Sequence, residues 1–126
     1  MTETSSDYVT KNLRADEVAC PCCGQVEYDR KFVDSLQIIR DLVGIPFIYT
    51  SFFRCKDYND SLSNSSKTSK HTLGKACDIS TDSWSGNDKW LLAKYSIGVG
   101  LSVGVYAHHI HLDNRDGDPT LFAGSY

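Results

Sequence analysis

Four histidines and five cysteines hold most of the metal-binding and proton-transfer chemistry this chain can offer. His71 stands in Ser69-Lys70-His71-Thr72-Leu73-Gly74-Lys75-Ala76-Cys77-Asp78-Ile79, and the other three fall in Tyr106-Ala107-His108-His109-Ile110-His111-Leu112-Asp113. Imidazole nitrogen and carboxylate oxygen are ordinary zinc ligands at ~2.0–2.2 Å, and two histidines with one carboxylate leave the fourth position of a tetrahedral ion open for chemistry. His71 and Asp78 lie two turns apart on a straight helix, or ~10 Å, too far to share an ion. They can meet only if the chain bends between them, and Gly74 permits a bend. His109 and His111 alternate on an expected strand and share a face, while His108 points the other way. By spacing alone the pattern fits a metal site and plain polar surface equally well.

Three of the cysteines crowd into Cys20-Pro21-Cys22-Cys23. In a chain without a secretory signal such a cluster reads as reduced thiols or a metal site, not as a disulfide framework. The reading taken is small buried or turn cysteines, and the sharper alternative is a second, structural zinc recruiting Cys55. Cys77, between strand neighbours, is expected in the core.

The elements that must position these residues follow from periodicity. Asp29 is a natural helix N-cap, Phe32, Leu36, Ile39 and Val43 recur at helical spacing, and Gly44 is a stop, so a helix is expected over 30–43. Pro46 opens Phe47-Ile48-Tyr49-Thr50-Ser51-Phe52-Phe53, which reads as a buried strand. Residues 57–70 are Ser, Asn, Lys and Asp with almost no apolar content and read as a surface loop. A short strand is expected over 76–79, a helix over 88–95 with Trp84 and Trp90 in the core, and two strands over 103–106 and 109–113. Residues 1–15 read as a loose polar arm and 16–126 as one domain. The expected fold class is α+β, a small, mostly antiparallel sheet with helices packed on it.

Composition narrows the partners. A net charge of −3 with no basic block argues against nucleic acid. No apolar run reaches the ~18 residues of a membrane span, and the N-terminus lacks a signal-peptide pattern, so the expectation is a chain made in the cytosol, with another agent needed to deliver it elsewhere. Oligomeric state is not legible.

At these residues the sequence resembles the zinc D-Ala-D-Ala carboxypeptidases and phage endolysins of peptidase family M15. The matching motifs are Ser69-Lys70-His71, Gly74-Lys75-Ala76-Cys77-Asp78-Ile79 and His111-Leu112-Asp113. Ser51-Phe52-Phe53-Arg54 with Asn59 resembles a further family segment, and Gly100-Leu101-Ser102-Val103-Gly104-Val105-Tyr106 the glycine-rich approach to the last ligand. The resemblance covers residues 16–115 and implies a hedgehog-like or DD-peptidase-like fold. It implies Zn2+ held by His71, Asp78 and His111, with Arg54 steadying an oxyanion or gripping a substrate carboxylate and Ser69 bonding substrate. Many relatives place a glutamate base three residues before the last ligand, where this chain has His108. Others place a histidine two before it, which matches His109, and strand alternation favours His109. Asp113 would orient a ligand. The implied function is hydrolysis of bacterial peptidoglycan stem peptides, as a carboxypeptidase or endopeptidase of host or phage. The alternative is a non-catalytic zinc-containing binding or structural module of the same fold.

Overall fold

The computed structural model describes residues 7–62 and 69–123. In chain order the elements are β1 (Tyr8–Thr10), β2 (Leu13–Arg14), α1 (Ala15–Val18), α2 (Arg30–Val43), β3 (Tyr49–Ser51), α3 (Lys56–Ser61), a 3-10 turn (Lys70–Leu73), β4 (Ala76–Ser80), α4 (Gly86–Gly98), β5 (Ser102–Val105), β6 (His109–Asp113) and β7 (Leu121–Ala123). β1 and β2 pair as a small separate ribbon, and the other strands form one sheet in the order β3-β4-β6-β5-β7. The class is α+β, as expected, and the sheet is mixed. The pairings β3–β4, β4–β6 and β6–β5 are antiparallel, and β7 lies parallel to β5.

α2 forms where its periodicity places it. Asp29 accepts the Phe32 N–H at 3.0 Å, and Gly44 closes the helix with φ 79°. Both ends are thereby satisfied. Its inner face, Phe32, Val33, Leu36 and Ile39, is buried against Leu92 of α4 and against Cys77, Ile79, Val103, Ile110 and Leu112 of the sheet. The sheet residues in that list alternate with Asp78, His109, His111 and Asp113, so one face carries the core and the other carries the polar residues.

Several expectations change. Within the predicted loop 57–70, α3 forms over Lys56–Ser61, and residues 63–68 lie outside the described residues. α3 lacks an apolar stripe. It is held by Cys55, whose Sγ accepts the Tyr58 N–H, and by the Lys56–Asp60 ion pair, and it buries Asn59. The strand expected over 47–53 shrinks to Tyr49–Ser51, with a register shift between those two residues. Phe47, Phe52 and Phe53 are buried all the same, and the Phe53 N–H leaves the sheet to bond the Val18 carbonyl. Trp84 packs against the core, whereas Trp90 is 58% exposed with the Lys94 ammonium 5.0 Å from its ring centre. Of the arm expected over 1–15, residues 1–6 lie outside the described residues, while the rest carries β1, β2 and the buried Leu13 and bonds Gln37 of α2 through Thr10 and Asn12.

The bend between His71 and Asp78 is built on Gly74. Its φ is +67°, its carbonyl accepts the Asp29 N–H at 3.0 Å, and a Cβ there would stand 2.5 Å from Tyr28 Cα and 2.7 Å from the Glu27 carbonyl oxygen. These obstacles are backbone and cannot swing aside. Gly74→Ala is therefore expected to cost at least about 1–3 kcal/mol, read by urea denaturation. A loss well below that range would show that the turn does not demand glycine.

Candidate metal centre

The site is a row drawn across the sheet. Asp78 of β4 stands opposite His111 of β6, with Ser51 of β3 beyond Asp78 and Gly104 of β5 beyond His111. Gly104 in turn pairs with Phe122, whose ring lies 6.3 Å from that of His111 and occupies the space a Cβ on Gly104 would need.

His71 joins this row from the 3-10 turn. The Ser69 hydroxyl accepts the His71 N–H at 3.2 Å and Thr72 Oγ1 donates to the Ser69 carbonyl at 2.7 Å, fixing the turn. The buried His71 ring places Nδ1 2.6 Å from the Phe52 carbonyl oxygen. A carbonyl only accepts, so Nδ1 carries a proton and Nε2 is the nitrogen turned to the cluster. Nε2 lies 3.6 Å from Asp78 Oδ2. His111 sets Nδ1 2.9 Å from Asp78 Oδ1 and Nε2 2.8 Å from Asp113 Oδ2. Asp113, itself 1% exposed, is gripped on both oxygens by Arg115 at 2.6 and 2.8 Å.

The electrostatics favour a cation between these groups. Burial pushes the Asp78 carboxyl up, but hydrogen bonds from His111 and His71 hold it well below the usual carboxylate range. Burial likewise raises Asp113, and Arg115 and His111 bring it to about 2. Burial lowers His111, yet Asp113 and Asp78 outweigh it and lift it to about 9. A proton on His111 thus supplies the positive charge that two buried carboxylates require.

Ligand-type atoms of His71, Asp78 and His111 all lie within 4.8 Å of one another. A tetrahedral ion with ~2.1 Å bonds needs such atoms ~3.4 Å apart, so small side-chain adjustments suffice. A metal bound there would replace the proton on His111 Nδ1, while Asp113 would orient the ring from the other nitrogen. The residues present therefore fit zinc.

The remaining predicted residues divide. Arg54, largely buried, reaches Asp78 Oδ2 at 3.7 Å and is tethered by Ser51 Oγ at 3.1 Å and Asn59 Oδ1 at 3.3 Å. His109 shares the face of His111, stacks on Tyr106 at 4.4 Å between ring centres, and is depressed in pKa, chiefly by burial. His108 is exposed and pairs with Asp82 at 2.7 Å, away from the cluster. Ser69 caps the turn that carries His71. Sequence reasoning missed Arg115, signalled only by its spacing of two from Asp113, and the buried anchor role of Asn59. Separately, the sulfurs of Cys20, Cys22, Cys23 and Cys55 also come within 4.8 Å of one another.

The shifts set a pH dependence for metal-free protein. Asp78 and Asp113 contribute stability above their unfolded pKa near ~3.9, lost as pH falls; His111 contributes it below ~6.5, lost as pH rises through about 9. Urea midpoints in chelator are expected to be highest between about pH 4.5 and 6.5 and to fall toward pH 9, and His111→Gln is expected to flatten the alkaline fall. An unchanged alkaline slope in that variant would place the titrating group elsewhere.

No curated protein matches the chain. A family model described as Peptidase M15 matches residues 9–113, a span holding every residue of the cluster from His71 to Asp113. Members of that family are zinc-dependent, in keeping with the donor set found here. With most of its length matched, the chain belongs to the peptidase M15 family and is, on that ground, a peptidase.

Proposed function

We propose that this chain is a zinc peptidase acting on the stem peptides of bacterial peptidoglycan, at a terminal D-alanine or within a cross-link, on the hedgehog-like or DD-peptidase-like fold of its relatives. The observation that carries the reading is the convergence of His71, Asp78 and His111 within 4.8 Å in a chain of this family. Zinc at that position would polarise the scissile carbonyl and lower the pKa of water beside it.

The chain's own residues supply the rest. His109 is depressed by burial, opposed by the charge of Asp78, and so is neutral over more of the range near pH 7 than an ordinary histidine. It suits a general base that takes a proton from the attacking water and returns it to the leaving nitrogen. Water then adds across the C–N bond without another reactant. Stacking on Tyr106 holds its ring. Arg54, anchored by Ser51 and Asn59, offers a fixed guanidinium to a substrate carboxylate or a developing oxyanion. Ser69, whose hydroxyl caps the turn that carries His71, would also bond substrate. A chain made in the cytosol would reach the wall by release or delivery, as a phage endolysin does.

Purified peptidoglycan incubated with zinc-loaded protein is expected to release D-alanine or split peptides. His109→Ala is expected to lower kcat by ~10²–10⁴-fold while keeping its zinc. His71→Ala is expected to lose both zinc and activity. A parent that binds zinc yet cleaves no wall peptide would instead mark a binding or structural module.

A further inference from the structure

A second group of metal-ligating side chains lies outside the centre described above. Cys20, Cys22 and Cys23 stand on the turn after α1, and Cys55 precedes α3, yet their Sγ atoms all lie within 4.8 Å of one another. The Cys20–Cys22 and Cys22–Cys55 sulfurs are 3.6 and 3.4 Å apart. A disulfide requires ~2.05 Å, and all these cysteines are free. A tetrahedral ion with ~2.3 Å zinc–sulfur bonds requires edges of ~3.8 Å, close to those distances.

The backbone is shaped for such a site. Gly24, at φ 75°, donates its N–H to the Cys20 carbonyl at 2.8 Å, and Cys20 donates its own to the Gln25 carbonyl at 2.8 Å. This tight loop folds its cysteines around one point. Two amides address the sulfurs: Cys55 N–H to Cys20 Sγ and Tyr58 N–H to Cys55 Sγ, both at 3.4 Å. Such donors stabilise thiolate over thiol. Burial pushes the Cys20 thiol up, but the backbone N–H groups of Cys55 and Cys22 and the neighbouring thiols bring it down to about 6. Hydrogen bonding with Cys55 and Cys20 drives Cys22 up to about 12.

We propose that Cys20, Cys22, Cys23 and Cys55 bind one zinc ion in a closed, all-thiolate, structural site. Four protein sulfurs leave no position open for substrate. The ion would tie the turn after α1 to the start of α3. Arg54, next to Cys55, donates its N–H to the His71 carbonyl at 3.2 Å, and its side chain touches Asp78, so the clamp would hold one wall of the histidine centre. Metal binding displaces the thiol protons, and no oxidation is involved.

The test is zinc content of the full chain, purified without chelator. About two ions are expected in the parent, and about one each in His71→Ala, Cys22→Ser and Cys55→Ser. Titrating parent and His71→Ala with an organomercurial, which blocks thiols, is expected to release one zinc from each. Cobalt-loaded His71→Ala is expected to show thiolate-to-cobalt charge-transfer absorption. Cysteine variants that hold as much zinc as the parent, or thiols that are blocked without releasing zinc, would overturn the proposal, as would a native mass lighter by two hydrogens. Should the cysteine variants fail to fold, the mercurial titration of the parent still decides. Zinc released by the mercurial from a parent without peptidase activity would support this site while removing the catalytic reading of the other.

Discussion

Two buried carboxylates facing one imidazole set the terms for the rest of this molecule. Asp78 and Asp113 flank His111, and neither is open enough to water to stay charged unaided. Leaving a buried charge without its partner typically costs about 3–5 kcal/mol, so the surrounding structure is arranged to supply cations. Arg115 closes on Asp113, Arg54 approaches Asp78, and His111 stands between. The antiparallel pairing of β4 with β6, the glycine turn that returns His71, and the tether of Arg54 to Ser51 and Asn59 all serve this one charge arrangement.

The sheet makes it possible by dividing its labour. Cys77, Ile79, Ile110 and Leu112 turn toward α2 and α4 and join the apolar core, so their strand neighbours are left on a face of different character. A polar cluster there does not compete with core packing, and its side chains need only satisfy one another. Burial lowers the pKa of both His109 and His111, but the carboxylates of Asp113 and Asp78 reverse that effect in His111 alone. Lowered in one and raised in the other, their pKa values give two imidazoles two residues apart opposite proton preferences.

Legibility in the sequence followed the kind of force holding each part. α2 was readable to the residue because apolar period, N-cap and C-cap agreed. β4 and β6 were readable because their alternation was intact. α3 was not, since caps and an ion pair hold it and no apolar stripe announces it. The strand before Arg54 was overdrawn because Phe47, Phe52 and Phe53 are apolar for the sake of burial, not of pairing. β7 pairs through mostly exposed residues and left no pattern. In the site, the ordered histidine and aspartate motifs were readable. The grip of Arg115 on Asp113 spans only two residues but has no distinctive motif, and the gathering of Cys55 with Cys20, Cys22 and Cys23, open in the sequence as an alternative, depends on tertiary closeness that spacing does not encode.

The row Ser51, Asp78, His111, Gly104 and Phe122 takes one residue from each of the five strands of the main sheet. Side chains on a strand alternate faces, so a single-residue insertion inside β4 or β6 would exchange its contribution to the row for a core residue while leaving the composition almost unchanged. An insertion of two would restore the face but displace the position by about one residue pair. A length change that preserves the row must therefore fall in the connections between strands, and the spacing within each strand is as much a part of the site as the identity of its histidines.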